Sequence, residues 1–172
     1  MIILGIDPGS IKTGYGLIKK EKNNLIHIAH GTIVAKGNSI PARLYFIHEK
    51  LCEIISQYKP AEMAIEEVFM QINIQSALKL GQARGVALIA GAKYAMPISE
   101  YSARLIKKTA VGYGAASKSQ VQFMIRAQLK LTTALQADAA DALAIAICHA
   151  QHRDQVSGIR DQCDNLIPIA DP

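Results

Sequence analysis

At 172 residues the chain has the length of one ordinary domain, enough to bury a core without disulfides. Half of it is apolar and 19% is charged, which excludes a disordered chain, and its richest apolar run, Ala139 to Ile147, is too short and too interrupted by Asp141 to span a membrane. The net charge of +5 is uneven: Val68 to Ala137 holds nine Lys or Arg against one acid, Glu100, a net of +8 that leaves −3 for the remainder. Such a basic middle segment fits either a gripped polyanion or ordinary solvated helix lysines.

Ile2 to Asp7 is a short apolar run closed by Pro-Gly, a strand ending in a turn. Thr13 to Lys19 and Leu25 to Val34 follow as strands across short polar turns, making an antiparallel meander. Ser39 caps a helix with Pro41 just inside it, and Leu44, Ile47, Leu51, Ile54 and Ile55 recur at helical spacing until Lys59-Pro60. Glu62 to Val68 is a fourth strand, expected parallel to its neighbour because a helix leads into it. Phe69 to Ile74 is a loop and Gln75 to Tyr94 a helix, where Gly81, Gly85 and Gly91 lower helix propensity and point to close packing. Ile98 to Tyr101 is a short strand, Ser102 to Thr109 a short helix, and Val111 to Ala116 a loop. Lys118 to Leu131 and Gln136 to Gln151 are helical. The order gives one α/β domain over 1–152, a mixed sheet with helices on its faces, and a polar mobile tail over 153–172. MIILGIDPGS carries no basic leader, and Cys52, Cys148 and Cys163 lack zinc spacing, so reduced thiols in a cytosolic protein are expected.

The acids carry the chemistry. Asp7 closes an apolar strand, and as a residue before Pro-Gly it also suits a plain turn role. Glu66 and Glu67 fall on opposite strand faces, so only one can join Asp7. Asp138 and Asp141 share one helix face in a field of alanines. A helix N-terminus explains one of them, but not a second a turn later, where like charges repel. A cation between them resolves the conflict, and oxygen-only ligands point to Mg²⁺ or Mn²⁺ rather than zinc. His149, later on the same helix, is given a core or surface role. No P-loop, GxSxG or HExxH competes with this reading.

Several strings together resemble the RuvC family of bacterial Holliday junction resolvases. They are Ile3-Leu4-Gly5-Ile6-Asp7-Pro8-Gly9 with Thr13-Gly14-Tyr15-Gly16, Ala64-Ile65-Glu66 with Val68-Phe69, Ala77-Leu78-Lys79-Leu80-Gly81-Gln82-Ala83-Arg84-Gly85, Lys118-Ser119-Gln120-Val121-Gln122, and Gln136-Ala137-Asp138-Ala139-Ala140-Asp141-Ala142-Leu143-Ala144. The resemblance implies an RNase H-like five-stranded mixed sheet with helices on both faces. It also implies a homodimer with two active sites that nick opposed strands of a four-way DNA junction during recombination and repair. Asp7, Glu66, Asp138 and Asp141 would be the catalytic metal ligands, holding two Mg²⁺ per site with Mn²⁺ as a substitute. Four acids at one point would need that cation. Lys118 would assist catalysis and touch DNA, Phe69 would stack on junction bases, and Lys107 and Arg84 would contact DNA. Glu67 adds an acid where relatives are expected to carry a neutral residue, and it should point away from the metals. The implied partner is the RuvA–RuvB branch-migration complex, in the bacterial cytoplasm at the nucleoid. Two other readings remain: a junction-binding module without nuclease activity, and an RNase H-like nuclease acting on RNA–DNA hybrids or structured RNA.

Overall fold

The computed structural model describes residues 1–67 and 74–153. Phe69, Cys163 and the predicted tail beyond Arg153 lie outside them. Among the described residues the strands are β1 (Ile2–Asp7), β2 (Lys12–Glu21), β3 (Asn24–Val34), β4 (Glu62–Glu66) and β5 (Ile98–Tyr101). They form one sheet in the order β3-β2-β1-β4-β5. β1, β2 and β3 pair antiparallel, while β4 lies parallel to β1 and β5 parallel to β4. The helices are α1 (Ile40–Tyr58), α2 (Ile74–Lys93), α3 (Ala103–Val111), α4 (Lys118–Gln128) and α5 (Ala137–His152).

The local signals act as the sequence predicts. Ser39 Oγ accepts from the Ala42 N–H at 3.3 Å, and Lys59, at φ 47°, ends α1 by donating its N–H to Ile55 O. α1 then crosses over to a parallel strand, as a right-twisted sheet favours. Central β1 is covered on both faces, which is why its run is apolar throughout. Leu4 and Ile6 pack with Ile47, Leu51 and Met63 beneath α1 and α2. Ile3 packs with Ile125, Leu143 and Ile147 beneath α4 and α5. Ile3, Gly5 and Asp7 therefore share the α5 face of β1, and Glu62, Ala64 and Glu66 share that face of β4. Cys52 and Cys148 are free and buried.

Most boundaries shift by one or two residues, β4 ending at Glu66 within the expected Glu62 to Val68, and three differences have a clear local cause. Val111 ends α3 rather than starting a loop, and Gly112, at φ 93°, closes that helix. α4 stops at Gln128 instead of reaching Leu131, because Leu129 and Lys130 turn the chain, Lys130 at φ 53°. Arg153, read as the first tail residue, is anchored: it lies 3.1 Å from the Glu62 carboxylate.

The close-packing explanation of the α2 glycines holds only for Gly91, where a Cβ would meet Met63 and Ile98. Gly81 and Gly85 face open space. The glycines that do bring backbones together lie under α5. A Cβ on Gly5 would overlap Ala142 O and approach Ala146 N, and one on Gly14 would overlap the Asp138 carbonyl. α5 thus rests directly on β1 and β2, and that seat places its first turns.

Candidate active site

Asp7 ends β1 and Glu66 ends β4, and the pairing of Ile6 with Ile65 brings these strand ends side by side. Asp138 and Asp141 arrive from the first turns of α5. Gly14 pairs with Asp7 across β1–β2 and packs on Asp138, which fixes Asp138 at the same end of the sheet. Asp7, Glu66 and Asp141 line a cavity of about 210 Å³ together with Lys107 of α3 and Lys118 of α4. Ile106, Val121 and Ile145 form its apolar side, which keeps the local dielectric low. Asp138 does not line the cavity, but its charge acts on both Asp7 and Asp141. Glu67 lies outside the cavity, and its N–H donates to Tyr101 O at 2.9 Å.

Burial and like charge dominate the electrostatics. Asp7 is pushed up to about 7, first by burial and then by Asp141, Glu66 and Asp138, with Lys118 opposing. Glu66 is raised by burial and by Asp141, against Lys107 and Lys118. Asp141 is raised by burial and by Asp138, while Lys118 and Lys107 pull it down. Lys118 Nζ stands 3.7 Å from Asp141 Oδ2, but its side chain is 82% exposed, so this pair compensates little.

These acids fit a divalent cation by chemistry: the donors are hard oxygens, and Asp7, Glu66 and Asp141 are raised first by burial and then by neighbouring carboxylates, which a cation would offset. Among the described residues no three His, Cys, Asp or Glu side chains stand at metal-holding spacing. Asp7, Glu66 and Asp141 line the cleft, and Asp138 stands close enough for its charge to act on Asp7 and Asp141. A cavity of about 210 Å³ has room for a cation that keeps several waters, as Mg²⁺ does, at roughly 30 Å³ per water.

Other sequence candidates fall elsewhere. Arg84 is ion-paired with Glu100 and does not line the cavity. His149 proves to be a core residue, 3% exposed and bonded to Glu62 and Tyr101. Those three polar groups were missed as a set. The available signal was a lone histidine in the apolar run Ile147-Cys148-His149-Ala150, since a buried polar group requires a partner.

A mixed sheet carrying acids at adjacent strand ends and on the covering helix is an arrangement that metal-assisted phosphodiester cleavage can use. The family model for crossover junction endodeoxyribonuclease RuvC matches residues 3–149. A protein of that description from Pectobacterium atrosepticum is 56% identical over 169 residues, covering 98% of each chain. Another, from Geobacter metallireducens, is 52% identical over 151 residues, or 87% of this chain and 92% of the relative. Among solved structures, T. thermophilus RuvC in complex with a Holliday junction substrate superposes at TM-score 0.84 with 29% identity, covering 90% of this chain and 96% of that one. The yeast mitochondrial Holliday junction resolvase shares the fold alone, at TM-score 0.63 and 13% identity over 96% of this chain and 86% of its own. The chain belongs to the crossover junction endodeoxyribonuclease RuvC family. It is thereby an endodeoxyribonuclease, and membership in this nuclease family suggests a divalent-metal requirement. Among the described residues no helix is long and apolar enough to cross a membrane.

Proposed function

We propose that this protein resolves four-way DNA junctions by paired metal-dependent nicks. The observation that carries the reading is the cleft itself, where Asp7, Glu66 and Asp141 stand with Lys107 and Lys118. Asp7, Glu66, Asp138 and Asp141 would hold Mg²⁺, two ions per site with Mn²⁺ as a substitute, supplying an acidified water and a clamp on the scissile phosphate. Asp7 must be ionised to act, so raising the pH through about 7 releases its proton and favours the cation. Lys118, exposed at the mouth of the cleft, is placed to offset charge building on the phosphate. Lys107 adds positive charge beside Glu66 and Asp141.

Paired nicks need two sites, and α2 offers the surface for a homodimer. Ile74, Leu78 and Ile89 are 75%, 64% and 62% exposed. At 100° per residue they share one side of α2 with Gly81 and Gly85. An apolar stripe with small residues is self-complementary, as a two-fold interface requires. The RuvA–RuvB complex as partner, the bacterial cytoplasm as compartment and residues 154–172 as a tail to the nuclease domain rest on the family resemblance and the sequence pattern.

The test is a synthetic four-way junction incubated with and without Mg²⁺, beside linear duplex and RNA–DNA hybrid. Cleavage confined to the junction and dependent on Mg²⁺ is expected, and Asp7→Asn should bind the junction without cutting it. A shifted but uncut junction with the unaltered chain would leave only a binding module. Faster hybrid cleavage would transfer the site to RNA-directed chemistry.

A further inference from the structure

Away from the acids, α5 carries a second polar cluster, fully buried. Glu62 opens β4, Tyr101 closes β5 and His149 lies late in α5, all 5% exposed or less. His149 Nε2 is 2.7 Å from Glu62 Oε2, and the Tyr101 hydroxyl is 2.8 Å from His149 Nδ1. Arg153, the C-cap of α5, reaches Glu62 Oε1 at 3.1 Å. If the phenol donates to Nδ1, the neutral imidazole is left to donate its Nε2–H to the carboxylate. Burial holds His149 below its ordinary value, against Glu62, which raises it, with Arg153 and Lys20 adding to the lowering. Both Glu62 oxygens are therefore held by groups from one helix.

The spacing links this cluster to the cleft. Glu62 and Glu66 stand four residues apart on one strand face, about 13 Å. His149 and Asp141 stand eight residues apart on α5, about 12 Å. One end of α5 thus meets Glu62 while the other brings Asp141 to Glu66. Tyr101 joins the ends, because its backbone pairs with Glu66 while its hydroxyl reaches His149. Elsewhere the buried face of α5 is apolar: six alanines, with Leu143, Ile145, Ile147 and Cys148 among them. Apolar contacts and the glycine seat fix how close the helix lies but are non-directional, whereas directional bonds to a buried carboxylate add a selection of one register.

We propose that Glu62, His149, Tyr101 and Arg153 form a clamp that sets the height of α5 along β4, and so positions Asp138 and Asp141 against Asp7 and Glu66 for metal binding. They are positioning residues, and their role rests on the metal-nuclease reading above. The test uses the full chain and three measurements: Mn²⁺ affinity by calorimetry without DNA, the Mg²⁺ concentration for half-maximal junction cleavage, and junction affinity in chelator. Glu62→Gln keeps the size of the side chain and removes the charge. It should weaken Mn²⁺ binding and raise the Mg²⁺ requirement, each by about tenfold, the low end for supports behind metal ligands, with junction affinity unchanged. Tyr101→Phe, which deletes only the hydroxyl, should move both metal readouts the same way by less. Leu51→Ala, on the opposite face of the sheet, is the control that loses stability but keeps wild-type metal affinity. If Glu62→Gln and Tyr101→Phe behave like that control, lower in Tm but unaltered in metal affinity, the clamp is merely structural and the proposal is overturned. If the unaltered chain itself binds no Mn²⁺ and needs no Mg²⁺, the metal-nuclease reading falls first and takes the clamp with it.

Discussion

Helices α2 and α5 draw on similar residues, rich in Ala, Leu and Ile, yet they end up in opposite surroundings. α5 buries eleven of its 16 residues, whereas α2 buries four of 20 and leaves Ile74, Leu78 and Ile89 exposed. The cause lies under the helices rather than in them. Gly5, Gly14 and Gly16 remove the side chains that would hold α5 off the sheet, so an almost wholly apolar helix closes its burial within the chain. α2 covers the sheet with one side, and its outer glycines meet nothing. An apolar pattern marks a helix that will be buried; the neighbours decide whether they come from the same chain.

The largest effect should come from breaking the α5 seat. Gly5→Val puts a side chain into Ala142 O, and the backbone must move. A loss of about 3 kcal/mol or more in urea unfolding is expected. Unchanged stability would mean that α5 does not depend on the seat.

A second test sharpens the acid end of α5. In the metal-free protein Asp7 titrates at about 7 against an ordinary 3.8. Its folded value is raised, so protonated Asp7 is favoured by folding. That contribution is complete below pH 4 and is lost as the pH rises through about 7. Stability measured by urea unfolding in chelator should fall across this window by roughly 2–4 kcal/mol. Asp7→Asn should flatten that slope and stabilise the metal-free protein at neutral pH. A slope unchanged in Asp7→Asn would assign it to other groups.

On the α2 side, if the proposed two-fold interface holds, Leu78→Glu should leave a monomer by sedimentation, with single nicks in place of paired ones. Retention of a dimer would place the interface elsewhere. The smallest effect is Gly85→Ala. Facing open space, it should stabilise the isolated fold by about 0.5–1 kcal/mol through helix propensity. If α2 is the two-fold surface, the same methyl should weaken dimerisation, a reversal visible by comparing unfolding with the dimer dissociation constant.

The residues left different amounts to read. Ser39, Lys59 and the apolar run of β1 closed by Pro-Gly announced their elements, because caps, turns and short apolar runs are short-range properties. Glu66 was separable from Glu67 only in that one of them had to face Asp7. The register of β4 against β1 chose Glu66. Arg84 looked like a free cation, yet β5 brings Glu100 to it across the fold. His149 carried no visible partner, since Glu62 lies 87 residues away in sequence.

The sequence by itself determined most of the elements, the basic middle segment and the family, and it singled out the candidate acids, because periodicity, charge and motif strings are carried by near neighbours. Tertiary structure alone decided that Asp7, Glu66 and Asp141 line one cleft, that Lys107 and Lys118 line it with them, and that the far end of α5 bonds to Glu62. Those outcomes depend on how one backbone seats on another, and that distance is set by glycines and partners far apart in the chain.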